Sequence, residues 1–169
     1  MGSQHRRLMA FAGALLLGAL AACSPQTGTE SGAAAASADT ATNTHPVSGL
    51  KVIPVTVETG DGQHVFRSEV AQSAAEQAKG LMFRTELGPD EGMIFPRQGD
   101  VASFWMKNTP LPLDIIFVGK DRRIINIAAQ TTPYSLESVS ALGPTSAVFE
   151  IPGGRAAELG IEPGDRVEW

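Results

Sequence analysis

The chain has few of the residues from which metal sites and disulfides are built. Among its 169 residues there are one cysteine, Cys23, and three histidines. A single cysteine cannot form an internal disulfide, and zinc sites built on imidazole need several histidines. After residue 50 the one histidine is His64, beside a hairpin turn. We therefore expect neither a bound metal nor a cofactor.

The common signatures of catalysis are also missing. The sequence has no Gly-x-Ser-x-Gly motif and no glycine-rich phosphate loop after a strand. A Ser-His-Asp triad would have to use His64, and no cysteine nucleophile follows Cys23. These absences favour a protein that is not an enzyme. They do not exclude an enzyme.

The longest apolar run is short and lies near the N-terminus. It spans 8–20, follows Arg6 and Arg7, and continues into Ala-Ala-Cys23. A membrane-spanning helix needs roughly 20 apolar residues, so this layout predicts a secretory signal peptide over 1–22. The small residues before the cysteine resemble the lipobox of bacterial lipoproteins, in which cleavage exposes a cysteine that is then acylated.

This resemblance implies that Cys23 carries a lipid anchor. Each buried methylene adds about 0.8 kcal/mol, so several acyl chains would hold the protein at a membrane permanently. Ser24, rather than aspartate, resembles the form sorted to the outer membrane. We expect a cell-envelope protein, an outer-membrane lipoprotein that faces the periplasm. The alternative is an ordinary signal peptide that leaves Cys23 as a free thiol.

A polar stretch separates Cys23 from the folded part. Residues 24–49 are mostly small or polar and show no hydrophobic periodicity, so they cannot bury enough apolar surface to offset their ordering entropy. We predict a lipidated, disordered tether over 23–49 and a single β domain over 50–169. Loss of Arg6 and Arg7 leaves 11 basic and 18 acidic residues, a formal charge of −7, which argues against nucleic-acid binding.

The sequence of the predicted domain, 50–169, indicates short strands and little helix. "KVIPVTVE" and "HVFRSEV" alternate on either side of an Asp-Gly turn and predict a β-hairpin. A capping box formed by Ser73 and Glu76, with Gly80 as the stop, predicts a helix of about two turns, and 156–159 predicts another helical turn. Later strand-like stretches such as "GMIF", "LDIIFV" and "AVFEI" complete a mainly β fold, an antiparallel sandwich or partly open barrel.

Five motifs occur in an order that resembles a known family. They are "GLMFR" (80–84), "GMIF" (92–95), "FWMKNTPLPLDIIF" (104–117), "FEIPGG" (149–154) and "GIEPGD" (160–165). Together they resemble DUF192, domain of unknown function 192, over nearly all of 50–169. The resemblance implies a mostly β, sandwich or jelly-roll-like fold and no established activity. Pro152 before Gly153 departs from the usual Ala-Gly pattern.

The longest of these motifs places polar residues in apolar surroundings. Alternation along 103–107 puts Phe104 and Met106 on the core face and Trp105 with Lys107 on the other face. An indole beside an ammonium group suits a sugar ring, a peptide or a ligand carboxylate. The structural alternative is that a loop covers Trp105 while Lys107 extends to water.

Asp114 is the second polar residue that needs an explanation. It lies within the apolar stretch "LDIIFV", where an unpaired carboxylate would cost several kcal/mol. Lys107, Arg84, the Asn108 amide and the backbone N–H groups of 108–110 are the candidate partners. Such a cluster is either a structural link between two strands or a site for acid–base chemistry or ligand recognition.

These residues lead to a functional hypothesis. We expect a lipid-anchored envelope domain that binds a small ligand or an envelope partner through Arg84, Trp105, Lys107, Asn108 and Asp114. The alternative is a hydrolase of envelope polysaccharide that uses Asp114 with a second carboxylate. A Cu(I) site formed by Met82, Met93 and Met106 is a further alternative to their role as core filling.

Overall fold

The folded part of the chain is built mainly of β-strands, as the sequence predicts. A computed structural model describes residues 43–169, in which there are nine strands and two short helices. In chain order they are β1 (Val52–Thr59), β2 (Gly62–Val70), α1 (Ala74–Lys79), β3 (Glu91–Pro96), β4 (Ser103–Phe104), β5 (Leu113–Gly119), β6 (Ile124–Ala128), β7 (Val139–Ser140), β8 (Thr145–Pro152), α2 (Arg155–Glu158) and β9 (Arg166–Glu168).

The predicted hairpin and helix form the first half of the sheet. β1 and β2 pair in antiparallel register up to Thr59 opposite Gly62. α1 has the predicted capping box, in which Ser73 Oγ accepts the Glu76 N–H and the Glu76 carboxylate accepts the Ser73 N–H at 2.7 Å. Because α1 carries the chain back over the sheet, β2 and β3 pair in parallel. In this pair the sheet departs from the predicted antiparallel arrangement.

Seven strands form one sheet that nearly closes into a barrel. Their order is β6-β5-β8-β3-β2-β1-β9. The two edge strands meet where Arg123 bridges Arg166 and the Val167 N–H donates to Arg122 O at 2.8 Å. This contact satisfies backbone groups that an open edge would expose. The interior is apolar and includes Val55, Phe66, Ile94, Ile116, Phe149, Ile151 and Val167.

The outer face of the central strands is covered as well. Alternate residues of β3, β5 and β8 form a second apolar cluster that includes Met93, Phe95, Leu113, Ile115, Phe117 and Val148. Residues on either side of α1 and around the two-stranded β4–β7 sheet pack on it: Ala71, Leu81, Ala102, Met106 and Ala141. All seven residues of β5 are therefore buried, and the two faces predicted for 113–118 are confirmed.

The strand implied by the alternation along 103–107 is shorter in the structure. β4 ends at Phe104, and Met106 donates its N–H to Ser135 O at 3.0 Å outside any strand. The side chains nevertheless alternate as predicted, since Met106 is 3% exposed and Trp105 is 48% exposed. The predicted separation of a core face from an outer face is confirmed.

The fold includes residues that the sequence assigns to the tether. Asn43 O accepts the Val52 N–H at 2.7 Å, and Thr44 forms a bridge with Lys51. The tether predicted over 23–49 therefore contains a segment, 43–49, that packs on the domain. The predicted signal peptide and Cys23 lie outside the described residues. Within 43–169 no helix is long and apolar enough to cross a membrane.

Candidate ligand-binding site

Glu150 lies in the middle of β8, on the covered outer face of the barrel. In the sheet it is opposite Met93 of β3 on one side and Ile115 of β5 on the other. Residues opposite each other on neighbouring strands point to the same face, so the carboxyl group has apolar neighbours in the sheet. Glu150 is 4% exposed.

The Glu150 carboxyl lacks a complete set of hydrogen bonds. Its Oε2 atom is buried and has no hydrogen-bond partner among the described residues. Burial raises the pKa of Glu150 to about 8. At neutral pH the group is therefore mostly protonated and can donate a hydrogen bond. Buried polar atoms without partners are rare in native proteins, so this position is a candidate functional site.

Glu150 reaches a pocket of about 270 Å³ between the barrel and its covering layer. The walls come from the end of α1 and the turn after it, from the end of β3, and from β4 with the following turn. Leu81, Phe95 and Phe104 supply apolar wall surface, and the last two rings pack edge to face at 5.0 Å. Pockets for drug-sized ligands are about 300–1,000 Å³, so this one suits a smaller molecule.

Trp105 and Lys107 line this pocket from the exposed side. Lys107 Nζ lies 5.2 Å from the centre of the Trp105 ring, within the range of a cation–π contact. Since nearly half of Trp105 is exposed, the alternative in which a loop covers it is wrong. The two residues are held together at the surface of the pocket, as the alternation of 103–107 predicts.

Two further cations line the pocket. Lys79 is exposed at the end of α1, and Arg97 follows β3. Arg97 donates to Gln77 Oε1 at 3.0 Å and to Asp100, and this second hydrogen bond lowers the pKa of Asp100. The Arg97 Nε atom is buried without a hydrogen-bond partner in the described part of the chain. The pocket thus combines basic groups with one carboxyl, that of Glu150, which is mostly neutral at pH 7.

Asp114 points away from this pocket, into the barrel interior beside Ile151. Its Oδ1 accepts the N–H groups of Gln130 at 2.7 Å and Gly154 at 2.9 Å, and its Oδ2 accepts that of Ala156 at 2.8 Å. These distances are typical of charge-assisted hydrogen bonds. The carboxylate is therefore satisfied by backbone donors that join the β6–β7 connection and α2 to β5.

The side chains predicted as partners of Asp114 lie on the outer side of the barrel. Arg84 Nη2 donates to both Glu69 oxygens, at 2.8 and 3.0 Å, and its Nη1 is 3.3 Å from His45 Nε2. Glu69 is 2% exposed, so this is a buried ion pair. Arg84 lines a neighbouring groove of about 690 Å³, next to 45–50. The predicted pairing with Asp114 is wrong because the two groups occupy opposite faces of the sheet.

Asn108 and the three methionines contribute packing around the pocket. The Asn108 amide donates to Met82 Sδ at 3.8 Å, and the Thr131 hydroxyl donates to Met106 Sδ at 3.1 Å. Met93 packs beside Glu150 in the second cluster. These contacts fit gap-filling side chains better than copper ligands. Within the described part of the chain, no group of His, Cys, Asp and Glu side chains has an arrangement that could hold a metal.

Sequence reasoning does not select Glu150, although a signal is present. The residue stands in "AVFEI", an apolar strand, and the desolvation argument that singles out Asp114 applies equally to it. Strand alternation places Glu150 with Val148 on one face, but it gives no information on which partners either carboxyl finds.

The domain is a nearly closed β-barrel. It has a small, partly basic pocket on its covered outer face. The sequence profile of DUF192, described as an uncharacterized ACR, matches residues 55–169. The chain belongs to the DUF192 family. No curated protein matches the chain significantly.

Two solved structures share this fold. A crystal structure of a protein of unknown function from Novosphingobium aromaticivorans DSM 12444 is 65% identical, covers 75% of this chain and 91% of that one, and has a TM-score of 0.74. A provisionally named transcription regulator from Sinorhizobium meliloti 1021 is 34% identical, covers 70% and 94%, and has a TM-score of 0.68. Both likenesses confirm the mostly β fold.

Replacement of the buried Asp114 by alanine should lower the free energy of unfolding by about 3 to 5 kcal/mol, because the N–H groups of Gln130, Gly154 and Ala156 would lose their acceptor. Urea denaturation followed by circular dichroism measures the change. Asp90, exposed and paired with Arg155, is the matched control, and Asp90→Ala should cost at most about 1 kcal/mol. Equal losses in the two variants would contradict a structural role for Asp114.

Glu150 should make the protein less stable as the pH rises from about 4.5 to about 8, which are its ordinary and its raised pKa. In this window the folded state keeps a proton that the unfolded state has lost, so the free energy of unfolding falls with pH. Below the window both states are protonated and the effect vanishes. Glu150→Gln should remove a decline of up to about 5 kcal/mol, at about 1.4 kcal/mol per pKa unit.

Urea titrations at several pH values between 4 and 9 measure this decline. Glu137, an exposed glutamate, is the control, and Glu137→Gln should keep the wild-type slope. If Glu150→Gln shows the same slope as the wild type, the carboxyl is not protonated in the folded state.

Proposed function

We propose that this protein is a binding domain of the cell envelope, anchored by a lipid on Cys23, that takes a small ligand into the pocket beside Glu150. The observation that carries the proposal is the buried carboxyl oxygen without a partner at this pocket. A buried group left without its hydrogen bond costs about 1–3 kcal/mol. A ligand that supplies the missing partner would recover this energy on binding.

Strained backbone next to the pocket supports a binding role. Phe83, Asn108 and Tyr134 have positive φ angles of 63°, 55° and 62°. The Phe83 N–H donates to Asn108 O at 2.7 Å, and the Tyr134 N–H donates to Thr109 O at 3.1 Å, so these three residues lie close together. Such conformations cost roughly 1–2 kcal/mol per residue and cluster at active sites and ligand clamps.

The polysaccharide hydrolase is less well supported than binding. It requires two carboxyl groups on either side of one substrate bond. Asp114 faces the barrel interior with both oxygens engaged, whereas Glu150 faces the outer layer. Carboxyl groups on opposite faces of one sheet cannot act on the same bond, and this geometry favours the binding hypothesis.

The location in the envelope rests on the sequence before the domain. The predicted signal peptide over 1–22 is followed by Cys23, and packed structure is described from Asn43 onward. The tether predicted between these two residues would have an end-to-end distance of roughly 25 Å. The lipid would thus hold the domain close to the outer membrane on its periplasmic side, while the negative formal charge of the mature chain disfavours contact with anionic headgroups.

The proposed ligand should raise the melting temperature of the protein. A ligand at a hundred times its dissociation constant adds about 2.7 kcal/mol to the free energy of unfolding. A thermal-shift screen of the chain from residue 24 onward against sugars, peptidoglycan fragments, amino acids and organic acids measures this effect. Trp105→Ala and Lys107→Ala should each reduce the shift, because both side chains line the pocket.

The matched control is Lys120→Ala, which removes an exposed lysine from the turn after β5 and should leave the shift unchanged. Circular dichroism must show that all three variants are folded. A ligand whose shift survives both pocket substitutions would bind elsewhere, and the proposed site would then be wrong.

The lipid anchor should be lost when Cys23 is replaced. In cells that express the full chain, Cys23→Ala should move the protein from the membrane fraction to the soluble fraction, because the acylated side chain would be missing. Ser24→Ala keeps the cysteine and is the control. Membrane association that persists in Cys23→Ala would contradict the anchor.

A further inference from the structure

The charges around the pocket indicate the chemical class of its ligand, and this step rests on the binding function proposed above. Three basic residues, Lys79, Arg97 and Lys107, line the pocket. Asp100 balances Arg97, which leaves the two lysine ammonium groups without a described carboxylate partner. Glu150 is the one acidic residue among the described lining residues. The pocket is therefore cationic although the chain as a whole is acidic.

The next acidic group along the sheet does not change this balance. Glu69 lies one strand beyond Met93 on the same face, since Glu69 pairs with Met93 and Met93 pairs with Glu150. Its carboxylate is held by both oxygens on Arg84, with His45 beside it. This ion pair is closed, so Glu69 offers no free negative charge to a ligand in the pocket.

Glu150 acts in this setting as a hydrogen-bond donor. A carboxyl group in apolar surroundings stays protonated at neutral pH and can donate its O–H to an oxygen of the ligand. The Arg97 Nε–H is a second buried donor that has no partner within 43–169. Both donors require an acceptor, and the surrounding lysines favour an acceptor that carries negative charge.

We propose that the pocket selects a small organic acid, whose carboxylate is attracted by Lys79 and Lys107, whose oxygen atoms accept from Glu150, and whose hydrocarbon part packs on Leu81 and Phe95. The volume of about 270 Å³ limits the ligand to a small molecule. The apolar walls favour a carboxylic acid with a hydrocarbon body over a strongly hydrated phosphate ester. An amine would have to approach two ammonium groups, so amines should be excluded.

Titration calorimetry of the full chain in mild detergent at pH 6.5 tests this class. The probes are benzoate, benzamide, benzylamine and phenyl phosphate, together with hexanoate, hexanamide and hexylamine. We expect at least one of the two acids to bind about tenfold or more tightly than its amide, and the amines to give no heat of binding. The amides keep the shape and one acceptor oxygen of the acids, and they replace the charged carboxylate with a neutral group whose NH₂ donates hydrogen bonds.

Substitutions of the pocket lysines test whether they attract the carboxylate of the acid. The double substitution Lys79→Met and Lys107→Met should weaken binding of the acid about tenfold and should weaken binding of the uncharged amide by clearly less than that. Lys120→Met is the control for a lysine outside the pocket. If the acid loses no affinity in the folded double variant, the lysines do not hold its carboxylate and the inference is wrong.

The pH dependence of the affinity tests whether Glu150 donates a hydrogen bond to the acid. Affinity for the acid should fall as the pH is raised from 6.5 to 9, through the raised pKa of Glu150 of about 8, because an ionised Glu150 has lost its donor proton and repels the carboxylate. Glu150→Gln keeps an N–H donor at the same place and should bind the acid without this fall. Equal pH dependence in the wild type and in Glu150→Gln would contradict the assignment.

The outcomes separate this inference from the binding function on which it rests. If benzamide, benzylamine or phenyl phosphate binds more tightly than the acid, or if a sugar from the thermal-shift screen binds in the pocket instead, the pocket binds ligands but the acid assignment is wrong. If neither these probes nor any compound of the screen binds, both the inference and the proposed binding function fail.

Discussion

The central strands are buried on both faces, and any polar group they carry must find its partners inside the protein. β5 and β8 lie between the barrel interior and the outer covering layer, and β5 has no exposed residue. Each strand carries one carboxyl group, Asp114 and Glu150, which point to opposite faces. Asp114 and Glu150 are 0% and 4% exposed, so the protein must supply hydrogen bonds or hold the group neutral. Asp114 is satisfied by hydrogen bonds, and Glu150 is held mostly neutral.

The difference between the carboxyl groups arises from what surrounds them. Asp114 lies where 130 and 154–156 turn their N–H groups inward, and three donors keep it satisfied. Glu150 lies between apolar side chains, and its strand, β8, packs closely against β3. A Cβ atom on Gly92 would be only 2.6 Å from Glu150 O, which shows how closely β3 and β8 approach. The covering layer above it consists of α1, turns and two-residue strands, and this irregular layer leaves the pocket open.

Local patterns in the sequence predict much of the fold but little of the site. The hairpin, the Ser73 capping box and the two faces of 113–118 depend on neighbouring residues, and they are confirmed. The parallel pairing of β2 with β3 and the contact between β6 and β9 depend on which strands become neighbours, which alternation does not specify. The same limit applies to the site. The donors to Asp114 lie 16 to 42 residues away in sequence, and no local pattern selects them.

The presence of a carboxyl group at position 150 is itself an argument for function. Its neighbours Met93, Ile115 and Val148 are apolar, and a leucine there would continue the second cluster without an unpartnered oxygen. Replacing a poorly compensated buried polar group with an apolar one of similar size is often neutral or stabilising. A domain shaped by stability alone would therefore carry an apolar side chain at this position. Residues that lower stability in this way are characteristic of functional sites. Here the carboxyl group lies beside a pocket in which it could contact a ligand.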